Sequence, residues 1–505
     1  MKIHFLWLTL ATSGIMLGCA SNNHRTSHRV SAKFVPDATA VAKEPNTPAE
    51  QSDQLTVDSS SVLPASGYST DQTAVSSDVI FAAVEPINSD EGNNASAVMA
   101  GEQTSLDELV SLAMANNPAI KELAATTQKA AGFRTQVGLY ANPIVGYQGQ
   151  QLADRGTDQH LIFAEQEFVT ADKLNLNRRV QNEALRAQLQ ELEAQRIRVA
   201  TDIRTRYYEA LGFQKQLELI QEFRKLLDKG YDLAQLRLKA AEGSKIDVLQ
   251  AKVQRSELDL ISRQTQARYD AAWREMAAIT GIQNLAPRTL SGSFDNVATS
   301  MQWEDIASNL VTTSPEYAAA QARISQAQAE LNRHGVQAIP NITAQFGAGV
   351  DNGTNSGMMN LQVGAPIPVF NKNQGNIAAA RAEYCRAVME AKRIEQSIRA
   401  RLAAVSREFE SALEASKSYS SDILPSAEEA LTLAEAAYKA GEMDFIQVLV
   451  ARRTYFESNL QYVNAQAQLA SAQAKLDGYV LTGSLDAVID RSGSDALRGL
   501  TFSQQ

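Results

Sequence analysis

This 505-residue chain contains the same sequence unit twice. Three pairs of segments match at a nearly constant offset: Pro118 with Pro315 and Pro143 with Pro340, each 197 residues apart, and 238–249 with 438–449, 200 residues apart. Matches that keep their spacing over so long a stretch indicate a duplicated structural unit. We place the two units at about 105–285 and 302–483, and we expect both to have the same fold.

Each unit predicts the same order of elements: one helix, a β-hairpin and two long helices. Ser105, with Glu108 three residues later, forms a capping-box pattern at the start of the first helix. The predicted segments of the first unit are a helix over 105–137, strands over 143–151 and 160–169, and long helices over 176–229 and 233–280. Those of the second unit are 302–336, 341–350, 359–369, 375–436 and 444–480.

The strand pairs have the pattern of membrane β-hairpins. Each strand is about ten residues long, and turns rich in Gly, Asp and Asn separate the partners. In the last strand, apolar residues alternate with others: Leu361, Val363, Ala365 and Ile367 against Gln362, Gly364, Pro366 and Pro368. One face is therefore apolar and the other is not, as a strand between lipid and a lumen requires.

The long helices exceed those of ordinary globular domains. At 1.5 Å per residue, each spans roughly 70–90 Å. A heptad seam predicts that they pack against further helices; its members are Leu185, Leu189, Leu192, Val199 and Ile203.

Two hairpins provide only four strands in one chain. An open sheet in lipid leaves backbone groups unpaired at both edges, at a cost of several kcal/mol per group. We therefore expect the chain to close its sheet by joining with further copies of itself.

The N-terminus predicts export. Lys2 precedes an apolar run over 3–16 that is too short to span a bilayer in the mature protein. The run ends in Met16-Leu17-Gly18-Cys19, which resembles the lipobox of bacterial lipoproteins and makes Cys19 the lipidated residue. The alternative is an ordinary signal peptide with an incidental cysteine. Residues 20–100, rich in Ser, Thr, Asn, Ala and Pro, predict a disordered linker.

Composition excludes several classes of protein. The net charge of −10 argues against a nucleic-acid partner, because phosphate binding needs a basic surface. The chain lacks the common hydrolase, phosphate-loop and zinc-protease motifs, so we predict no enzyme, no catalytic residue and no cofactor. Two distant cysteines cannot form a thiolate metal cluster, and we predict no metal site.

The segment 366–381, PIPVFNKNQGNIAAAR, resembles the junction between strand and helix in the TolC family of outer-membrane efflux proteins. Its partner in the first unit is 165–173, and a third mark is Tyr438-Lys439-Ala440-Gly441 followed by Leu449. The resemblance covers about 105–483 and favours the heavy-metal branch (cobalt-zinc-cadmium and copper-silver). The first unit departs from that branch, since Asp172 stands where glycine is common and Glu167 where proline is frequent.

The resemblance implies a mainly α protein with a membrane β-barrel portion. Three copies would form a 12-stranded barrel in the outer membrane, continued by an α-helical tunnel through the periplasm. The implied partners are a periplasmic adaptor (membrane fusion) protein, an inner-membrane pump of the RND type and outer-membrane lipid. With Ala20 after Cys19, the expected location is the outer membrane, reached by a lipid anchor.

Two groups of candidate residues follow from the resemblance. The periplasmic tip, which would form the aperture or contact the adaptor, comprises Ala241, Glu242, Leu249, Gly441, Glu442, Asp444 and Leu449. The junction between strand and helix comprises Lys173, Pro366, Pro368, Asn373 and Gly375. Acidic rings at a pore mouth favour cations, although the same acids could simply solvate a turn. Gly441 also fits a left-handed helix end.

Three functions remain open: a duct of a tripartite efflux pump for metals or drugs, a duct of a type I protein secretion system, and a periplasmic coiled-coil scaffold without a pore. The predicted domains are a lipoprotein signal peptide over 1–19, the linker over 20–100, two efflux repeats over 101–290 and 291–485, and a C-terminal tail over 486–505.

Overall fold

The computed structural model describes residues 103–153, 156–282, 285–294, 301–494 and 496–499. The elements of the first unit are β1 Gln103–Thr104, α1 Leu106–Asn116, α2 Pro118–Gln136, β2 Ile144–Gln150, β3 Gln159–Phe168, α3 Lys173–Lys239 and α4 Lys245–Thr280. Those of the second are β4 Thr289–Leu290, α5 Trp303–Thr313, α6 Pro315–Gly335, β5 Ile342–Asp351, β6 Ser356–Gly364, α7 Gln374–Ser418, α8 Leu424–Ala440 and α9 Phe445–Asp477. A π-helical turn, Tyr419–Ile423, joins α7 to α8, and a 3-10 turn, Ala496–Gly499, follows later. The duplicated order of elements is confirmed.

The first predicted helix of each unit is wrong, because it is two helices. The break falls at Asn117 and Ser314, each followed by a proline that lacks an N–H and starts a new helix. Asn117 Oδ1 accepts hydrogen bonds from the backbone N–H of Ala119 and Ile120 at 3.0 and 3.1 Å. The capping box of Ser105 and Glu108 is present as predicted.

The turn between α3 and α4 lies about ten residues later than predicted. Gly230 does not end the helix; it is buried, and α3 continues to Lys239 for a total of 67 residues. At 1.5 Å per residue, α3 is about 100 Å long.

The predicted helix over 375–436 is interrupted by the π-helical turn. Pro425 lies directly after this turn, where a regular α-helix would clash with its ring and lose a hydrogen bond. The helix before the proline therefore widens by one residue and continues.

Each unit has its own apolar core. In the first, Trp273 and Tyr207 are buried with Leu109, and Trp273 Nε1 donates a hydrogen bond to Leu285 O at 2.9 Å. In the second, Phe409 packs edge-on against Trp303 with ring centroids 5.8 Å apart. The predicted heptad seam of α3 is buried except at Leu189, which is 37% exposed.

The four long strands form one antiparallel sheet in the order β2-β3-β5-β6. The β3–β5 pair joins the hairpins of the two units through ten residue pairs. The prediction of a strand over 359–369 is wrong beyond Gly364, because Pro366 and Pro368 have no N–H to donate to a ladder. Within one copy, β2 and β6 each have a free edge.

No helix among the described residues is both long and apolar enough to cross a membrane.

Gly349 is required where β5 passes β3. A Cβ at this position would lie 1.8 Å from the backbone oxygen of His160, which is far below contact distance. We expect Gly349→Ala to destabilise the sheet by about 1–3 kcal/mol, as overpacking does, measured by denaturation of the purified protein in detergent. Gly364→Ala is the control, since a Cβ there meets no atom within 4 Å; equal effects of both variants would contradict the steric argument.

Candidate channel wall, junction and tip

The register of the sheet separates its residues into two faces. One row of cross-strand neighbours runs Val145, Ala164, Phe346 and Leu361, and the next runs Tyr147, Ile162, Ala348 and Met359. These apolar side chains are largely uncovered, with Leu361 72% and Met359 81% exposed. So large an uncovered apolar surface on one side of a sheet indicates contact with lipid or another protein.

The opposite face has most of the polar residues of the sheet, together with the apolar Ile144, Leu161, Phe163 and Met358. One of its rows runs Ile144, Glu165, Gln345 and Gln362. Glu165, Glu167 and Asp351 are the acidic residues of the four strands, and all three belong to this face; those strands, all of them described, contain no Lys or Arg. The polar wall therefore has a negative charge without a compensating cation in the sheet.

The junction below the sheet is a buried polar network around Lys173. Lys173 is 2% exposed, and its Nζ donates hydrogen bonds to Ile339 O and, at 2.7 Å, to Asn341 Oδ1. Asn341 Nδ2 in turn donates to Glu167 Oε1 at 2.8 Å. The network thus connects the start of α3 with the end of β3 and the start of β5.

Two of the five predicted junction residues lie in this buried region. Asn373 begins α7 in a left-handed conformation at φ 61°, and its Nδ2 donates to His334 O at 2.9 Å. Asp172 has the same conformation at the start of α3, so both units turn from strand to helix in the same way. Pro366 and Gly375 are exposed and Pro368 is half-buried, and no contact requires a glycine at 375.

Arg333 is a junction residue that the sequence analysis missed. Its side chain is buried, Nε donates to Asn177 Oδ1, and Nη1 donates to Gln337 Oε1 at 2.7 Å. Burial lowers its pKa to about 10, which leaves it charged near neutrality. The signal that could have found this network is Asn341, directly after the repeat marker Pro340.

Burial and the charge of Arg333 lower the pKa of Lys173 to about 8, while Glu167 acts in the opposite direction. The unfolded chain has the ordinary value of 10.5 and so binds more protons than the folded chain between these values. We therefore expect the stability that wild type has relative to Lys173→Met to rise as the pH increases from about 8 to about 10. Thermal unfolding of the purified proteins at several pH values measures this, and a constant difference between them would contradict it.

The two helical hairpins end in similar turns. Ala241 and Gly441 adopt left-handed conformations at φ 57° and 78°, and the N–H of Glu242 and of Glu442 closes each helix end with a bond of 2.9 Å. All three predicted acids, Glu242, Glu442 and Asp444, are exposed in these turns. The left-handed helix end predicted for Gly441 is present.

The hairpins contact each other close to their ends. Arg237 Nη1 donates a hydrogen bond to the hydroxyl of Tyr438, and the guanidinium lies over the ring at 4.9 Å. The two leucines of the predicted tip differ: Leu449 is 2% exposed, whereas Leu249 is 52% exposed. Equivalent positions of the two units therefore have different surroundings.

The left-handed conformation costs a non-glycine residue about 1–2 kcal/mol. We expect Gly441→Ala to destabilise the second tip by about that amount and Ala241→Gly to relieve strain in the first. Hydrogen exchange of the amides in 438–444 and 238–244 measures both effects locally. If Gly441→Ala speeds amide exchange in neither 438–444 nor 238–244, that result contradicts the left-handed assignment of Gly441.

The end of the second predicted repeat and the described part of the predicted C-terminal tail, 486–505, pack against α3 and α7. Asp202 Oδ2 accepts the N–H of Gly483 and Ser484, and Arg491 Nη1 lies 2.8 Å from Glu390 Oε1. Gln181 Nε2 donates to Ser494 O at 2.8 Å, so the segment 483–494 follows α3 toward the sheet. Cys19, the signal peptide and the 20–100 linker lie outside the described residues.

Comparisons with known proteins agree with this architecture. Residues 306–480 match the family described as outer membrane efflux protein. This match confirms the predicted family resemblance.

Two relatives and one solved structure define the similarity further. The cobalt-zinc-cadmium resistance protein CzcC of Cupriavidus metallidurans is 24% identical over 54% of this chain and 65% of its own length. The pyoverdine export outer membrane protein OpmQ of Pseudomonas putida is 22% identical over 75% of this chain and 85% of its own. The crystal structure of CusC has a TM-score of 0.64 at 17% identity, over 75% of this chain and 92% of that one, which confirms the predicted fold class. The match to CzcC spans slightly less than two thirds of that relative.

Proposed function

We propose that this chain, whose residues 306–480 match the outer membrane efflux protein family, is the outer-membrane channel of a tripartite efflux pump. It acts as a passive duct and does no chemistry of its own. Its periplasmic partners are an adaptor protein and an inner-membrane pump of the RND type.

The observation that carries the proposal is the two-faced open sheet. Its apolar face suits lipid and its polar face suits a water-filled lumen. The free edges of β2 and β6 need partners in a bilayer, because each unpaired backbone group there costs several kcal/mol. Three copies supply twelve strands and close the barrel; the number three rests on the family resemblance.

The helices continue the duct toward the pump. With α3 about 100 Å long, the helical hairpins extend far from the sheet and end in the exposed turns at 240–244 and 441–444. The adaptor binds at these turns, where Glu242, Glu442 and Asp444 are accessible. A lipid anchor at Cys19 adds a second attachment to the outer membrane.

Heavy-metal cations are the proposed cargo. The polar wall of the sheet contains acids and no bases, which favours cations by electrostatics. The relative CzcC is a cobalt-zinc-cadmium resistance protein. Drugs are the second candidate; the relative OpmQ is a pyoverdine export outer membrane protein, so its cargo is not a bare metal cation.

The two other functions have less support. A duct for protein secretion would need the same barrel and tunnel, and only its pump would differ. A scaffold without a pore does not explain why one sheet face is uncovered and apolar while the other is acidic.

Complementation of a deletion strain tests the proposal. We expect the deletion to sensitise growth to at least one of copper, silver, zinc, cobalt and cadmium, and the wild-type gene to restore growth. Leu361→Arg should fail to restore it, because Arg on a lipid-facing strand costs about 2–4 kcal/mol at the bilayer midplane. Gln362→Arg, one residue away on the polar face, is the matched control and should still assemble.

Drug sensitivity without metal sensitivity would move the cargo to drugs. A deletion strain sensitive to neither would contradict the efflux function. Full complementation by Leu361→Arg would contradict the assignment of the apolar face to lipid.

A further inference from the structure

The elements of one copy have the same lateral order at every level. The sheet order is β2-β3-β5-β6. Next to the sheet, α3 packs between α2 and α6, and α6 packs against α7. Toward the tip, α3 packs between α4 and α9, and α9 packs against α7 and α8. One flank of the copy therefore consists of β2, α2 and α4, and the other of β6, α7 and α8.

Helix α4 has two heptad seams on opposite sides. The inner seam, Ala251, Leu258, Thr265 and Ala272, is buried on the side where α4 packs against α3. The outer seam has the spacing 3, 4 and 7 and consists of Ile246, Leu249, Val253 and Leu260, which are 52–61% exposed. A helix with a second apolar seam has the pattern of one that packs against partners on both sides.

Helix α8, on the other flank, has a complementary surface. Its buried residues, Ala427 and Ala434, lie toward α9. The opposite side presents mostly short exposed side chains: Pro425, Glu429, Thr432 and Ala436. Large side chains on α4 and small ones on α8 allow two helices to approach closely.

The two surfaces lie at the same distance from the tips of the hairpins. The contact between Arg237 and Tyr438 places the ends of the two hairpins side by side. Helix α4 begins at Lys245 and α8 ends at Ala440, both at the tip. A residue of α4 is therefore level with the residue of α8 that lies the same number of positions from the tip. The corresponding pairs are Leu249 with Ala436, Val253 with Thr432, Leu260 with Pro425 and Arg263 with Asp422. Since α4 and α8 run in opposite directions, the match describes an antiparallel pair.

The charged pair at the upper end is also complementary. Arg263 continues the outer seam of α4, and Asp422 lies in the π-helical turn. Both are exposed, and within the described part of this chain neither side chain has an ion-pair partner. The equivalent helix of the first unit, α3, has no π turn and is covered on both sides. Of these two equivalent helices, the π turn therefore occurs in the one that lies at a flank, and such turns frequently mark functional positions.

We propose that the outer seam of α4 binds α8 of a second copy in this antiparallel register, with Arg263 paired to Asp422. The inference rests on the proposed channel, because it specifies how neighbouring copies close the tunnel below the barrel. This contact closes the gap between neighbouring subunits near the tip.

Disulfide trapping in the full-length protein in outer membranes tests the register. In a Cys385→Ser background, which removes the exposed free thiol, Val253→Cys with Thr432→Cys should give covalently linked oligomers on a non-reducing gel after mild oxidation. Val253→Cys with Ala430→Cys is the matched control, since Ala430 is exposed but lies about 200° from Thr432 around the helix. Equal trapping in both pairs, or none in the first, would overturn the register.

Charge exchange gives an independent readout. Arg263→Glu and Asp422→Arg should each reduce the yield of the Val253–Thr432 crosslink, and the double exchange should restore it. No recovery in the double variant would overturn the ion pair. If the protein with Cys385→Ser forms oligomers but the cysteines at 253 and 432 do not crosslink, this interface is refuted while the proposed channel stands. The absence of any oligomer there would contradict both proposals.

Discussion

Unpaired backbone groups at the two edges of the sheet are the constraint on which the architecture depends. A β-strand satisfies its N–H and C=O groups only through neighbours, and water cannot replace them inside a bilayer. Within one copy, the four strands form three pairs, and the outer edges of β2 and β6 remain unpaired. In the proposed channel the apolar face contacts lipid, so the same sheet would need further copies to pair its two edges. Closure of the proposed tunnel would follow from closure of the sheet, since the flanking helices continue the flanking strands.

The junction network fixes the orientation of the helices relative to the sheet. Lys173 and Arg333 are two buried cations whose hydrogen bonds go to residues of the neighbouring elements rather than to solvent. A buried charge with one partner missing is strongly destabilising, whereas a complete set of partners fixes the geometry. The left-handed residues Asp172 and Asn373 repeat the same change of direction in both units. The angle between wall and helix is therefore determined by local backbone and buried polar contacts together.

Much of the fold could be predicted because periodicity and duplication are local signals. The hairpins, the long helices and the alternation at Leu361 and Val363 all appeared in the sequence. The break at Pro118 was equally local, and proline at the first helical position was the signal overlooked. The π turn before Pro425 likewise had a local signal in the proline. The continuation of α3 through Gly230, which is buried near Phe445 of α9, could not be derived from one segment. The same holds for Arg333, whose partner Asn177 is 156 residues away, and for the unequal burial of Leu249 and Leu449.

Duplication of the unit has a consequence for anything that docks at the periplasmic end. In the proposed trimer, six hairpin ends would be alike in backbone but alternate in chemistry. One kind has Ala241 and an exposed Leu249, and the other has Gly441 and a buried Leu449. A partner ring built from identical subunits would then meet two inequivalent docking positions in alternation. It could bind both only by adapting its own contacts, or it could favour one set and leave the other free.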